Sequence, residues 1–288
     1  MYYPYFRGKQ FDLLALKSLL EMEQLSLEVQ PVIEPIRQSK TFWDTVELFQ
    51  KKAHPFFVIV NPQAGDFLTE EGSRLLQTLP NAKAYIIDQP IETIDCQPDL
   101  WVVHESAPAL ASDWSKNQTP ILVGQEFRLL KKIQGPKILM HDFFTRLPRN
   151  SFYQEVPEEV LPTVYQHYEQ QGFSGYSDFS IDSKIYYAHS YPSKTIVLHW
   201  LFVDQQQKLR ITHFVSDESL ETQKEKFLQL MSQVLQHEEI YPTQTSGLEL
   251  LLEAYKKDKF PGMGVLRKAA VMNHLELISP AVIILHDC

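Results

Sequence analysis

The sequence contains only two cysteines, Cys96 and Cys288, among its 288 residues. Thiols this few and this widely separated exclude a disulfide framework, and a reducing cytoplasm is the expected location. Long apolar runs are also missing, because no stretch approaches the roughly 20 residues that a membrane-spanning helix needs. The N-terminal residues show neither the basic nor the apolar segment of a signal peptide. We therefore predict a cytoplasmic protein with no membrane partner.

Positive charge is scarce: 27 Lys and Arg residues stand against 36 Asp and Glu residues, for a net charge of -9. A chain this acidic does not attract phosphate backbones through its overall charge. A nucleic-acid partner is therefore not predicted from the overall charge and would need a local basic patch. Glycine is scarce as well, at 10 residues. The sequence has no Gly-x-Gly-x-x-Gly turn, P-loop, Gly-x-Ser-x-Gly elbow or Cys-x-x-Cys pair. Dinucleotide-binding proteins, P-loop NTPases, serine hydrolases and zinc ribbons therefore lack their usual signatures here.

The sequence does contain a series of short apolar runs that each end at a polar residue. The first clear case is the run from Pro31 to Ile33, which ends at Glu34. Later runs end at Asn61, Asp88, His104, Gln125 and His141. Continuous apolar runs are typical of strands covered on both faces, and helical segments separate them. This alternation predicts an α/β fold, a (β/α)8 TIM-barrel-like domain, rather than an open doubly wound sheet.

The pattern changes after about Pro148. Residues 175–181 alternate and are predicted as the eighth strand, preceded by a helix over residues 158–170. Residues 182–216 are predicted as a β-rich insertion. Amphipathic segments then predict helices over residues 220–236, 248–255 and 265–277. We assign residues 1–288 to a single barrel domain with extra C-terminal helices.

Side chains at the carboxyl ends of parallel barrel strands converge on one mouth, where enzymes of this architecture keep their active sites. Carboxylates crowded there shift each other's pKa values and can divide acid and base roles. The predicted catalytic residues are Glu34, His104, His141 and Asp142, with Glu34 and His141 exchanging protons. The predicted substrate-binding residues are Arg7, Lys9, Asn61, Asp88, Gln125, Asp178 and His274.

Structural interpretations stand beside these assignments. Any strand end meets water, so a polar residue there needs no function. Arg7 and Lys9 flank a glycine just before a helix, which suits an anion site and equally suits a salt bridge to Glu34 or a neighbouring acid. His274 lies beside an apolar helix, where a histidine is commonly structural. The two histidines and two carboxylates of the catalytic set are ligand types that suit zinc or another transition metal, but they lack the spacing of a metal motif. No residue is therefore assigned as a metal ligand, and the cofactor is left open.

Both ends of the chain carry motifs of a known family. The opening follows a Pro-x-x-(Arg/Lys)-Gly-Lys-Gln pattern from Pro4 to Gln10, and Glu34 ends a Pro-x-Ile-Glu strand. The segments Pro261-Gly262-Met263-Gly264 and Met272-Asn273-His274-Leu275-Glu276 extend the likeness. Together they resemble a bacterial family often carried on mobile elements, which is similar to the phage "beta protein" family. The resemblance implies a prophage or integrated element, and phage defence or competition, but no reaction. The family often has His-His where this chain has Asn273-His274.

Two functions follow as hypotheses. The first is a hydrolase that acts on a small phosphorylated or nucleotide-like substrate at the barrel mouth, by acid–base or metal-assisted chemistry. Arg7 and Lys9 would hold the anion. The second is a non-catalytic component of a phage-defence or competition system that binds a partner protein. In that case the β-rich segment over residues 195–215 and the apolar tail over residues 281–288 would make the contacts.

Overall fold

The computed structural model describes residues 1–185, 193–240 and 244–283, with side chains described as far as residue 279. Its central sheet has eight parallel strands, which pair in the order of the chain. The first seven are β1 Tyr5–Phe6, β2 Val32–Ile33, β3 Phe57–Ile59, β4 Ala82–Ile86, β5 Leu100–Val102, β6 Ile121–Val123 and β7 Lys137–His141. A strand of a second sheet, β8 Glu158–Val160, comes before the last barrel strand, β9 Gly175–Asp178.

The two ends of this sheet meet. Tyr2 pairs with Tyr176 of β9, and the amide of Tyr3 donates to the Tyr176 carbonyl oxygen over 2.8 Å. The sheet is therefore a nearly closed parallel barrel, which confirms the (β/α)8 prediction. Helices connect most of the strands: α1 Gln10–Glu21, α2 Lys40–Lys51, α3 Glu70–Gln77, α4 Ser106–Ala111 and α5 Phe127–Leu130. The link between β4 and β5 has a short 3-10 turn at Ile91–Thr93 instead.

A separate antiparallel sheet follows the seventh barrel strand along the chain. Its strands are β8, β10 Val197–Val203 and β11 Leu209–Val215, with β11 in the middle. The helix predicted over residues 158–170 is wrong: only α6 Val164–His167 and a 3-10 turn at Glu169–Gln171 are helical there. Pro157 and Pro162 flank β8 and oppose a continuous helix, and the pairing of β8 with β11 is a long-range contact. The segment predicted as β-like near residues 186–189 lies outside the described residues.

Three long helices complete the chain: α7 Gln223–Gln236, α8 Ser246–Lys256 and α9 Met263–Ile283. Helix α9 packs against α1, α8 and β10. The first three residues of the tail that we assigned to partner contacts, 281–283, continue α9, and residues 284–288 lie outside the described part. Across the described ranges, none of the helices has both the length and the apolar character to cross a bilayer.

The barrel wall separates two apolar layers. Val32 belongs to the small cluster inside the barrel, whereas Leu139 belongs to the large cluster between the wall and the helices. Successive side chains along a strand point to opposite faces. Glu34, two residues after Val32, therefore faces the inside, and His141, two residues after Leu139, faces the helix layer. The alternation of side chains along each strand thus determines which polar residues point into the barrel.

Helix α8 approaches α9 closely at Gly247. A Cβ atom added there would lie 2.1 Å from the Ala269 carbonyl oxygen and 2.9 Å from the Asn273 nitrogen. We expect Gly247→Ala to lower the free energy of unfolding by about 1–3 kcal/mol, as overpacking does. This sign opposes the gain of about 1 kcal/mol that alanine has over glycine inside a helix. Urea denaturation measures the difference.

Gly124→Ala is the control for this substitution. Its added Cβ would meet only the Met140 carbonyl oxygen, at 3.8 Å, which is ordinary contact. We expect a change within about 0.5 kcal/mol for this control. A stabilised Gly247→Ala protein would show that the two helices do not pack this closely.

Candidate active site

A cavity of about 350 Å³ opens at the barrel mouth, beside the carboxyl ends of β1 to β5. Four of the predicted site residues line it: Arg7, Glu34, Asp88 and His104. Each follows a different strand, so the convergence of the strand ends brings together residues that are up to 97 positions apart in the sequence. The volume lies at the lower end of the range for small-molecule sites. The cavity therefore suits a small ligand.

Glu34 and His104 are joined through the hydroxyl of Tyr5. The hydroxyl donates to Glu34 Oε2 over 2.8 Å, and His104 Nε2 lies 3.0 Å from the same oxygen. The second carboxylate oxygen of Glu34, Oε1, accepts from the Gln63 backbone amide over 2.8 Å. Tyr5 and Glu34 are both buried. The three side chains form a fixed chain of hydrogen bonds, which we call the Glu34–Tyr5–His104 chain.

Hydrogen-bond chemistry fixes the tautomer of His104 within this chain. Because the Tyr5 proton goes to Glu34, the Tyr5 oxygen is the acceptor toward His104, and Nε2 carries the imidazole proton. Burial and the neighbouring Arg7 and Lys184 lower the pKa of His104 to about 4, although Glu34 acts in the opposite direction. Burial, and then Glu34, raise the pKa of Tyr5 well above its usual range. At neutral pH the imidazole is therefore neutral, with its proton on Nε2 and a lone pair on Nδ1.

Arg7 is held between the chain and the loop that follows β9. Its Nε lies 3.6 Å from Glu34 Oε2, Nη1 donates to the Ser183 carbonyl oxygen over 3.0 Å, and Nη2 donates to the Lys184 carbonyl oxygen. The guanidinium also lies 5.9 Å from the centre of the Phe179 ring. These contacts fix a positive charge in the cavity wall, next to His104.

The charges of the cavity divide by depth. The buried part contains Arg7 and Glu34, which form an ion pair. Asp88 and Glu105 also line the cavity, but both are exposed to solvent, where their charges are screened. The deep part thus offers a guanidinium and an imidazole, and the rim offers carboxylates that accept hydrogen bonds.

Two predicted substrate-binding residues stabilise the mouth from outside the cavity lining. The Asn61 side chain donates to the Ile86 carbonyl oxygen and accepts from the Ile86 amide, both over 2.8 Å, and so links the ends of β3 and β4. Gln125 is exposed and donates to the Gln171 side chain over 3.1 Å. The structure gives Asn61 a role in the wall, because both polar atoms of its amide are already hydrogen-bonded.

Asp178 and His274 lie on the helix side of the wall, between β9 and α9. Both are fully buried, and Tyr2 connects them: its hydroxyl is 2.7 Å from Asp178 Oδ1 and 3.2 Å from His274 Nε2. His141 faces the same layer and interacts electrostatically with Asp178. The proton exchange that we predicted between Glu34 and His141 is therefore not part of the function proposed below, since the wall separates the two side chains.

Lys9 and Asp142 bind the loop after β9. Asp142 Oδ2 accepts from the Ser183 hydroxyl over 3.1 Å and from the Lys184 amide over 3.2 Å. Lys9 forms an ion pair with Asp182, so the structure favours the salt-bridge interpretation for this cation. Asp182 also pairs with Arg146 and Arg267, and Arg267 binds Asp12 through two hydrogen bonds. We call these five residues the Asp182 cluster: Lys9, Asp12, Arg146, Asp182 and Arg267.

Sequence reasoning missed Tyr5, which connects the acid and the base. Tyr5 belongs to the aromatic run from Tyr2 to Phe6, which we interpreted only as a strand. The sequence feature that could have identified Tyr5 is its position one residue before the end of β1. Its side chain points into the barrel, as that of Glu34 does. Within the described ranges, no cluster of three or more His, Cys, Asp or Glu side chains is arranged to hold a metal ion.

Comparisons with known proteins add nothing to this geometry: no family model, curated protein or solved structure matches the chain.

Proposed function

We propose that the barrel mouth is the active site of an acid–base hydrolase for a small phosphorylated or nucleotide-like substrate. The observation that carries the proposal is the Glu34–Tyr5–His104 chain, which ends at an imidazole in the cavity. A base oriented by a second group, which is in turn oriented by a carboxylate, is the arrangement that general-base catalysis requires. Tyr5 transmits the orientation here.

His104 is the proposed general base. Its neutral imidazole takes a proton from water at Nδ1 while Nε2 stays bound to the Tyr5 oxygen. The imidazolium that forms is stabilised by the negative charge of Glu34, which acts across the Tyr5 hydroxyl. Water, activated in this way, attacks the phosphorus or the carbon of the bond to be cleaved, and the proton returns from His104 to the leaving oxygen.

Arg7 is the proposed anion-binding residue. Its guanidinium presents a fixed cation in the cavity, and Arg suits phosphate because of its planar array of donors. Asp88 and Glu105 at the rim accept hydrogen bonds from hydroxyl or amino groups, such as those of a ribose, a sugar or a base. A ligand that carries a phosphate at one end and hydroxyl or amino groups at the other fits this cavity, with the phosphate in the deep part and the donor groups at the rim. Its proposed setting is a mobile element, in phage defence or competition.

A substrate panel tests the proposal. Phosphomonoesters, phosphodiesters and nucleotides are incubated with the purified protein, with and without EDTA, and the products are followed by phosphorus NMR. We expect turnover of at least one phosphorylated compound and weaker binding of its dephosphorylated counterpart. The wild-type rate is compared with that of His104→Gln, to separate the cavity from a contaminating activity.

The partner-binding hypothesis predicts the opposite outcome. No compound of the panel would then be turned over or would bind the cavity, and His104→Gln would keep the full cellular activity of the protein. That combination would contradict the enzymatic proposal.

A further inference from the structure

A second cavity, of about 660 Å³, lies between β10, α1 and α9. None of its described lining residues also lines the cavity at the barrel mouth. Most of its lining is apolar and includes Phe11, Val197 and Ala270. Two side chains of different chemistry, His199 and Arg267, also line it. An apolar enclosure with a few convergent polar groups is the usual composition of a ligand site.

His199 belongs to a relay of three side chains in the second sheet. Its Nδ1 lies 2.7 Å from Nδ1 of His213, and His213 Nε2 lies 2.9 Å from Glu159 Oε1. Burial opposes ionisation of Glu159, but hydrogen bonds from His213 and Thr145 lower the pKa of Glu159 below its usual value. The rings of Phe144 and Tyr153 enclose the two imidazoles. The relay is therefore built into the interior rather than exposed on the surface.

This relay leaves one nitrogen of His199 for a ligand. Only one proton fits between the two Nδ1 atoms, so one imidazole donates and the other accepts. When the His213 Nδ1 is the donor, Nδ1 of His199 accepts, and Nε2 of His199 is an N–H donor. Within the described ranges, His199 Nε2 has no hydrogen-bond partner, and His199 lines the cavity. It is thus available to a molecule in the cavity.

The Asp182 cluster adds positive charge on the same side. Its three cations and two carboxylates leave one positive charge in excess. Arg267 is the member that lines the second cavity, while Asp12 and Asp182 fix its orientation. A positive excess beside a largely apolar enclosure attracts an anion more strongly than the same charge in open water.

We propose that this second cavity binds an organic anion, a carboxylate or a phosphate ester with an apolar body. The anionic group lies between Arg267 and His199 Nε2, and the apolar body packs against Phe11, Val197 and Ala270. Binding an anion favours the state in which His199 donates: the proton between the two Nδ1 atoms passes to His213, and Nε2 of His199 takes up a proton from solvent. Anion binding is therefore accompanied by the uptake of one proton. This site does not depend on the function proposed for the barrel mouth.

Titration with simple probes tests the site. Phenyl phosphate and benzoate carry an anion on an apolar ring, and phenol carries the ring alone. We expect both anions to bind at least tenfold more tightly than phenol, with histidine NMR signals of His199 shifting on binding. Phenyl phosphate above benzoate would identify phosphate esters as the ligand class, and the reverse order would identify carboxylates.

Substitutions show whether the second cavity binds the anionic probes. His199→Gln is expected to weaken anion binding at least fivefold, whereas His167→Gln, at an exposed histidine, leaves it unchanged. Benzoate is the probe for these variants, because phenyl phosphate is also a candidate ligand of the barrel mouth. Val197→Phe fills the second cavity with an aromatic ring and should abolish anion binding. This variant replaces His199→Gln as the test if His199→Gln fails to fold. Equal affinities for phenol and the anions, or binding that survives both cavity variants, would overturn the proposal.

Discussion

Replacing His104 with glutamine is expected to lower kcat by about 10²- to 10⁴-fold on the substrate that the panel identifies. Glutamine can still donate to the Tyr5 oxygen, but it cannot accept a proton from water. Glu34→Gln should lower kcat by about 10²-fold, because it removes the charge that stabilises the imidazolium. Neither change removes Arg7, so the KM for a phosphorylated substrate should change much less than kcat.

The double variant makes this prediction sharper. If Glu34 acts through His104, adding Glu34→Gln to His104→Gln should have almost no further effect, since residues that act as a unit are not additive. Glu218→Gln, at an exposed position, is the control for loss of one carboxylate charge. Independent, multiplying effects of the two site substitutions would contradict the Glu34–Tyr5–His104 chain.

Arg267→Met is expected to lower the free energy of unfolding by about 3–5 kcal/mol. Arg267 connects α9 to Asp12 of α1 over 2.6 and 2.9 Å, and to Asp182 over 2.9 Å. Asp12 and Asp182 are both buried. The methionine would leave the Asp12 charge without its ion-pair partner, and it would leave Asp182 with two of its three cations. Burial raises the pKa of Asp182, but the neighbouring cations lower it below its usual value, and Arg267 contributes most among them. Urea denaturation at pH 7 measures the change.

Arg74→Met is the matched control for this variant. Arg74 pairs with Glu70 over 3.7 Å at the surface, where the two side chains are 79% and 91% exposed. An exposed pair of this kind contributes about 0–1 kcal/mol, so the control should unfold almost as the wild type does. Equal losses from both substitutions would show that the Asp182 cluster does not join α9 to the barrel.

The barrel itself could be predicted from the sequence, because apolar runs that end in polar residues recur at every strand. The orientation of the polar residues could not. The run from Ile138 to Met140 is apolar on both faces of the strand, so no alternation shows which face His141 occupies. Glu34 has the same ambiguity, and only the barrel's register places it inside and His141 outside.

Other features of the structure could not be predicted because they depend on contacts between residues far apart in the sequence. Asp12 and Arg267 are 255 residues apart, so no local sequence pattern predicts that they pair. The same holds for Asn273. Its side chain accepts from Thr245 over 2.9 Å and donates to the Leu201 carbonyl oxygen over 2.8 Å. Asn273 therefore joins α8, α9 and β10, a structural role that the motif alone does not indicate.

The most direct test is an NMR titration of His104, with nitrogen-15 shifts to assign the tautomer. The Glu34–Tyr5–His104 chain predicts a neutral ring with its proton on Nε2 and a pKa of about 4. Arg7→Gln should raise this pKa, because it removes a neighbouring cation, and Glu34→Gln should lower it further, because it removes the anion that favours protonation. A pKa near the ordinary 6.5 that neither substitution moves, with the proton on Nδ1, would contradict the account.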